Sequence, residues 1–296
     1  MQFLRRYFSY LILAALVLIS IGIWSVVWAE TAPGKLIVAV LDVGQGDSIF
    51  IESPTGVQII IDGGPDNSLL HDLPHVMPLS DRSIDAVLAT HLDADHITGF
   101  IDLLKRYSVG AFIESGLVKS TLTARTLEKE VDAEKIPRTI ARRGMSLDLG
   151  GGAYLDVLSP DYDVSILPED KGNEGCIVAH LVYGKTSMLL MCDASMDVED
   201  HIMALGSLPT GQAGTTQIKS DILKVGHHGS HSSTGDEFVS EVDPSVAIIS
   251  VGAHNTYGHP AEQTLDTLAA HNVETLRTDE EGTIKFISNG EKFVRD

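Results

Sequence analysis

Residues 90–96 constrain the fold of this 296-residue chain more than any other segment. They read Thr-His-Leu-Asp-Ala-Asp-His and directly follow the apolar run Ala86–Ala89, which predicts a buried strand. Apolar residues recur at helical spacing from His96 onward, so a helix begins at or just after this histidine. The loop between the predicted strand and helix carries four potential metal ligands, His91, Asp93, Asp95 and His96.

Alternate side chains of such a loop point in different directions. His91 and Asp93 would then bind one cation, and Asp95 and His96 a second. Two cations about 3.5–4 Å apart can activate a water for hydrolysis. The alternative is a helix N-cap in which the aspartates interact with the helix dipole. Capping accounts for one aspartate but not for the two flanking histidines, so we favour a metal site.

Three further segments place polar side chains at the ends of predicted strands. Asp193 ends an apolar strand, where a carboxylate is costly unless it is paired or metal-bound. It is predicted to bridge two cations, although it could instead cap the following helix. The next two strands lead into segments that carry the histidines His227, His228, His231 and His259.

Composition excludes several other classes of protein. The chain contains 2 cysteines, too few for a disulfide framework or a four-thiolate zinc site, so a metal must bind to His and carboxylates. It has 21 Lys plus Arg against 41 Asp plus Glu, a net charge of −20, which argues against a basic face that coats nucleic acid. With 44% hydrophobic and 21% charged residues, it has the composition of a packed globular protein.

The N-terminus carries an uncharged apolar stretch over residues 7–29. Its length predicts a membrane-spanning helix, and the preceding Arg5 and Arg6 indicate that the remaining chain lies outside the cytoplasm. The alternative is a cleaved signal peptide followed by secretion. We therefore expect an anchor or signal peptide over residues 1–29 and one enzymatic domain over 30–296.

Beyond residue 30, short β-rich runs alternate with amphipathic stretches, which predicts one layered domain with a sheet core and helices outside. Helices are predicted over Thr121–Glu134, Met196–Leu205 and Ala261–His271. Gly206–Lys219 is predicted to be a mobile surface loop. The predicted strands are Leu36–Val40, Ser48–Ile51, Val57–Ile61, Ala86–Ala89, Val109–Ile113, Ile136–Ile140, Tyr154–Leu158, Cys176–Tyr183, Ser187–Met191, Ile222–Val225, Val246–Ser250 and Thr283–Ile287.

The strands Cys176–Tyr183 and Ser187–Met191 predict a hairpin around Gly184 and Lys185. Counting back from that turn sets Cys176 opposite Asp193 and on the same face, so it would point into the site. The alternative for Cys176 is a small buried hydrophobic residue. Cys192 lies at a diagonal on the paired strand, and the sequence leaves open whether the two cysteines bond.

Six motifs in order resemble the metallo-β-lactamase-type domain of the ComEC competence proteins, over about residues 36–287. This resemblance implies an α+β fold, a four-layer αββα sandwich with two metals where the sheets meet. The motifs are Asp42-Val43-Gly44-Gln45-Gly46-Asp47-Ser48, Ile61-Asp62-Gly63-Gly64, His91-Leu92-Asp93-Ala94-Asp95-His96, Cys192-Asp193-Ala194, His227-His228-Gly229-Ser230 and Tyr257-Gly258-His259-Pro260.

The resemblance also implies roles for individual residues. His91 and Asp93 hold the first cation, and Asp95 and His96 the second. Asp193 bridges the two, and His227 or His228 completes the second set. Supporting positions next to the ligands are assigned to Asp62, Asp47 and Cys176.

The chain departs from the family in three ways. Asp93 stands where most of the wider superfamily has histidine, which would suit Mn²⁺ as well as Zn²⁺. Cys176 stands where the family often has a serine. The membrane channel of the full-length competence proteins is missing, so we do not expect a DNA uptake pore.

We therefore predict a hydrolase, most plausibly a phosphodiesterase or nuclease acting on single-stranded DNA or short oligonucleotides. Asp95 would orient the nucleophile, and His259 or His231 would protonate the leaving group. Substrate contacts are assigned to Lys224, Ser230 and Tyr257. The alternatives are hydrolysis of a neutral ester, lactone or amide, which fits the acidity better, and a membrane-tethered binding protein without catalytic activity. The sequence does not indicate a protein partner.

Overall fold

The computed structural model describes residues 10, 12–13, 15–20, 34–205 and 218–296. The chain forms two compact units, Met1–Gly34 and Lys35–Asp296. In the part of the chain that the structure describes, no helix is long and apolar enough to cross a membrane. This finding contradicts the membrane anchor predicted over residues 7–29 and the membrane location derived from it. Of the loop predicted over Gly206–Lys219, residues 206–217 lie outside the described residues.

The second unit contains two large sheets. The first has eight strands in the order β17-β16-β1-β2-β3-β5-β7-β8, and the second has seven in the order β15-β14-β13-β12-β11-β10-β9. A short third sheet pairs β4 with β6. The strands are β1 Leu36–Val40, β2 Ile49–Glu52, β3 Gln58–Ile61, β4 Ser83–Ile84, β5 Ala86–Ala89, β6 Ser108–Val109, β7 Phe112–Glu114, β8 Arg138–Ile140, β9 Ser146–Gly150, β10 Ala153–Ser159, β11 Val178–Tyr183, β12 Thr186–Leu190, β13 Ile222–Lys224, β14 Val246–Ile249, β15 Glu274–Arg277, β16 Ile284–Ser288 and β17 Phe293–Arg295.

The two large sheets pack face to face, because side chains from both share one apolar cluster that includes Ile51 and Leu181. A second cluster joins the first sheet to the helices Ser68–Val76, Ala94–Leu104 and Leu122–Ala133. A third joins the second sheet to the helices Met196–Leu205, Asp236–Val242 and Glu262–Ala270. Helix, sheet, sheet and helix therefore follow one another as layers, and the core lies between them.

Strand direction explains why functional side chains collect at one edge. The strands β12, β13 and β14 run parallel to one another, as do β3, β5 and β7. The carboxyl ends of parallel neighbours lie at the same edge of a sheet. The predicted ligand segments begin in the loops after β5, β12, β13 and β14. These loops therefore lie at the carboxyl-end edges of their sheets.

Most predicted elements have counterparts in the structure. Several observed elements, among them β9, β15 and the helix Asp236–Val242, have no predicted counterpart, and two further differences have a local physical reason. The strand predicted over Val109–Ile113 is divided between β6 and β7, which belong to different sheets. The division falls at Gly110, where an added Cβ would lie 2.6 Å from the carbonyl oxygen of Asp85. The helix Ser68–Val76 was not predicted, and it contains Pro74, a residue that disfavours helix interiors.

Candidate metal centre

The ligand atoms form two clusters around the carboxylate of Asp193, which lies just beyond β12. We call the group facing Asp193 Oδ1 the second cluster, and it consists of Asp95, His96 and His228. We call the group facing Asp193 Oδ2 the first cluster, and it consists of His91, Asp93 and His227.

In the second cluster, His96 Nε2 lies 3.3 Å and His228 Nε2 3.6 Å from Asp193 Oδ1. Asp95 Oδ2 lies 3.5 Å from His228 Nε2 and 3.9 Å from His96 Nε2. The rings of His96 and His228 are buried. Atoms this close can share one metal ion.

In the first cluster, His91 Nε2 lies 4.0 Å from Asp193 Oδ2 and 4.0 Å from Asp93 Oδ1. His227 Nε2 lies 3.8 Å from the same oxygen of Asp193. The sequence leaves open which of His227 and His228 completes the second set. In the structure His228 faces the second cluster, and His227 lies on the side of His91.

The adjacent histidines diverge because of their backbone conformation. His227 has φ 47° and His228 φ 54°, and both values lie in the left-handed region, which residues other than glycine rarely adopt. Gly226 before them admits close packing, since an added Cβ would lie 2.8 Å from the carbonyl oxygen of Ala194. Strain of this kind at successive residues is common at functional sites.

Asp62 fixes the orientation of His96. Its carboxylate accepts hydrogen bonds from His96 Nδ1 at 2.8 Å, Thr90 Oγ1 at 2.7 Å and the Thr90 backbone N–H at 2.8 Å. An Nδ1 proton held in this way leaves Nε2 as the free ligand atom of the neutral ring. The structure places Asp62 against His96, and its role as a support for a metal ligand stays a prediction.

Asp47 supports the other histidine of the second cluster. Asp47 Oδ1 lies 3.5 Å from His228 Nδ1, which also donates to the Ser250 carbonyl oxygen at 2.9 Å. The other oxygen of Asp47 accepts from Lys224 Nζ at 2.8 Å. All these side chains are buried, so they hold one another in place.

The electrostatics of the clusters reflect this crowding of charge. Burial opposes a charged ring, but the carboxylates of Asp193 and Asp62 raise the pKa of His96 well above its usual value. Burial is likewise outweighed at His228, where Asp193, Asp47 and Asp95 raise the pKa to about 10. The histidines in turn hold the pKa of Asp193 well below its usual range despite its burial. Burial and the neighbouring His96 lower the pKa of His91.

A metal ion fits this donor set. Buried ring nitrogens normally have hydrogen-bond partners, yet among the residues that the structure describes Nε2 of His91, His96 and His228 finds none, and neither does Asp193 Oδ1. The three nitrogens all face the carboxylate of Asp193. Asp93 occupies the N-cap position of the helix Ala94–Leu104, but among the described residues its side chain makes no capping hydrogen bond. Its carboxylate faces the first cluster instead, and Oδ1 also contacts the ammonium of Lys119.

The residues predicted to face the substrate differ in position. Tyr257 is 72% exposed and its ring stacks on His259 with the centroids 5.8 Å apart. His259 lies near the clusters, 5.6 Å from His227 between ring centroids, and burial lowers its pKa. His231 is exposed.

The structure argues against three predicted roles. Lys224 is fully buried and bound to Asp47, so it cannot contact a substrate. Ser230 is buried as well, and its hydroxyl lies 3.1 Å from that of Ser232. Cys176 forms a disulfide with Cys192 across a Cα distance of 6.7 Å, so it offers no thiol to the site.

Lys119 is a site residue that sequence reasoning missed. Its ammonium contacts Asp93 Oδ1 from the loop before the helix Leu122–Ala133. No motif marks it, since a single lysine in a loop has no spacing to interpret. Thr90 belongs to the ligand motif, and it contacts both Asp62 and His91, which the sequence alone does not indicate.

Two facing sheets with clustered His and Asp ligands at one edge define a metal-dependent hydrolase. The chain matches the family model of the metallo-beta-lactamase superfamily over residues 41–254 and therefore belongs to that superfamily.

Among curated proteins, the chain is 32% identical over 267 residues to ComE operon protein 3 of Bacillus subtilis, covering 84% of this chain and 32% of that protein. It is 25% identical over 249 residues to competence protein ComA of Neisseria gonorrhoeae, covering 84% of this chain and 32% of that protein. The chain thus spans about a third of the length of these relatives. The predicted resemblance to competence proteins is confirmed.

Among solved structures, the chain resembles Igni18, a metallo hydrolase from Ignicoccus hospitalis. The TM-score is 0.49 at 14% identity, covering 85% of this chain and 98% of the other.

Proposed function

We propose that this protein is a phosphodiesterase that cleaves single-stranded DNA or short oligonucleotides with two divalent cations, Zn²⁺ or Mn²⁺. The observation that carries the proposal is the pair of ligand clusters on opposite oxygens of Asp193. A carboxylate that faces two cation sites is suited to a pair of ions acting on one phosphoryl group.

The bound cations would supply a nucleophile at neutral pH and neutralise charge on the departing oxygen. The protein's own residues prepare the site. Asp193 would bridge the clusters, while Asp62 and the Ser250 carbonyl hold the Nδ1 protons of His96 and His228. Asp95, whose side chain is 37% exposed, reaches the solvent side and would orient the attacking water.

His259 would complete the substrate side. Its lowered pKa makes the ring neutral at pH 7, so that it can donate one hydrogen bond to a phosphoryl or leaving-group oxygen. Tyr257, stacked on His259 and exposed, offers a ring face to a nucleobase. We keep His231 as a weaker candidate for donating to the leaving-group oxygen, because it is exposed and its charge influences His259.

The relatives support a substrate connected with DNA, since ComA of Neisseria gonorrhoeae is named a competence protein. The net charge of −20 opposes binding of a long polyanion. Short or single-stranded substrates reduce that opposition, because fewer phosphates approach the protein at once. The same acidity favours the second candidate, hydrolysis of a neutral ester, lactone or amide.

The full chain, stripped of metal and refilled separately with Zn²⁺ and Mn²⁺, should hydrolyse bis-p-nitrophenyl phosphate and single-stranded DNA. The Asp193→Asn variant, loaded in the same way, is the matched control and should be inactive. Hydrolysis of lactone or β-lactam dyes with no phosphodiester cleavage would favour the second candidate. Silence towards every substrate with metal bound would indicate a binding protein.

A further inference from the structure

Lys119 lies at the rim of the first cluster. Its ammonium contacts Asp93 Oδ1, the oxygen that faces His91 Nε2 at 4.0 Å. The side chains of Lys119 and Asp93 are 19% and 35% exposed. The pair is therefore partly accessible to solvent directly beside the ligand atoms.

The backbone holds Lys119 in this position from both sides. Before it, Leu117 is buried against Gly175, where an added Cβ would lie 3.0 Å from Leu117 Cδ2. After it, the backbone N–H and the hydroxyl of Ser120 donate to Glu169 Oε2 at 3.1 and 2.9 Å. Thr121 then caps the helix Leu122–Ala133. A lysine anchored on both sides loses less entropy on binding a ligand than one in a free loop.

The neighbouring segment leaves space beside Asp93. Gly172 is buried there, and an added Cβ would lie 3.4 Å from Asp93 Oδ1 and 3.9 Å from the His91 ring. A glycine at this position therefore places no side chain against either ligand.

Other cations nearby are engaged elsewhere. Lys224 is sealed beneath the second cluster by Asp47. Lys171 pairs with Glu174, and one guanidinium nitrogen of Arg142 donates to the carbonyls of Ser115 and Ala141. Lys119 is thus a partly exposed cation directly at a predicted metal ligand.

We propose that Lys119 binds an anionic oxygen of the substrate on the side of the first cluster, and that it makes the site prefer anionic phosphoesters over neutral esters. The choice of phosphoester rests on the proposed function. An ammonium has three donors, so Lys119 keeps further donors beside the one that it gives to Asp93. It provides locally the positive charge that the acidic surface lacks.

The test compares Lys119→Met, which keeps length and removes charge, with Lys119→Arg and the control Lys171→Met in the full chain. Inorganic phosphate is the probe, and its binding to metal-loaded protein is measured by calorimetry. We expect about 10- to 100-fold weaker binding for Lys119→Met, as for loss of a charged hydrogen bond. Lys119→Arg should bind within a few-fold of wild type, and Lys171→Met should be unchanged. Metal content should be equal in all four proteins.

Activity provides the second readout. The KM for bis-p-nitrophenyl phosphate should rise in Lys119→Met with kcat changed less, while hydrolysis of p-nitrophenyl acetate stays the same. Unaltered phosphate binding in Lys119→Met, or loss of metal from it, would overturn the inference. If phosphate binding depends on Lys119 but the wild type cleaves no phosphodiester, the anion site stands and the proposed function fails.

Discussion

The two clusters share Asp193 but differ in how firmly they are held. Both histidines of the second cluster are buried and have their Nδ1 atoms bound by acceptors. In the first cluster His91 is buried too, but the side chain of His227 is 30% exposed and its Nδ1 lies 3.4 Å from the Ser232 hydroxyl. The aspartates do not distinguish the clusters, since Asp93 and Asp95 are 35% and 37% exposed. His228 is therefore preorganised, whereas His227 can adjust. We expect the second cluster to bind metal more tightly and the first to adapt to substrate.

The largest effect is expected where the clusters meet. Asp193→Asn removes the charge that both share, so turnover should fall by more than about a hundredfold, the upper end for residues that merely support ligands. Circular dichroism should show that the fold is retained, and Asp95→Asn should likewise abolish turnover. An Asp193→Asn protein with full activity would contradict the site assignment.

The next prediction compares the stability that the buried Lys224 and the partly exposed Lys119 contribute. Lys224→Met leaves the buried carboxylate of Asp47 without its partner, which should lower the free energy of unfolding by about 3–5 kcal/mol. Lys119→Met breaks a partly exposed pair and should cost less than about 1 kcal/mol. Urea unfolding of the two metal-free variants measures the difference. Equal losses of unfolding free energy in the two variants would show that the first cluster is as rigid as the second.

The pH dependence of stability contrasts the second cluster with His180, a buried histidine on β11 whose Nε2 lies 3.0 Å from the Ser220 hydroxyl. Burial lowers the pKa of His180 to about 4. The unfolded chain, with a histidine pKa of about 6.5, binds more protons between these values, so this contribution is complete above about pH 6.5 and lost towards pH 4. It amounts to about 3 kcal/mol.

His228 has the opposite sign. Its pKa is raised to about 10, so its contribution in metal-free protein is complete below about pH 6.5 and lost as the pH rises towards 10.

The His180→Gln variant tests the contribution of the buried histidine. Its free energy of unfolding, measured at several pH values from 4 to 7, should change less with pH than that of the wild type. An unchanged slope would mean that burial does not depress this histidine.

Local patterns predicted much of the site. The ligand motif at the end of β5 and the carboxylate at the end of β12 could be recognised because strand ends determine where side chains collect. Supporting contacts could not be recognised, because they join distant segments. Lys224 and Asp47 are 177 positions apart, and a lysine at the end of a strand gives no sign that it is buried. The rings of His227 and His228 face different clusters because both residues have a left-handed backbone conformation. Two adjacent histidines in a sequence do not predict that conformation.

The smallest expected effect concerns the side chains that contact the Nδ1 atoms of the ligand histidines. Asp62→Asn weakens the hold on His96 Nδ1 and should reduce metal affinity of the second cluster by about 10- to 100-fold. Ser232→Ala, the counterpart in the first cluster, removes a contact of 3.4 Å to His227 and should change affinity by less than about threefold. Competition with a chelator measures both. A similar loss in the two variants would mean that preorganisation does not distinguish the clusters, and that the different exposure of His227 and His228 alone sets which cation binds first.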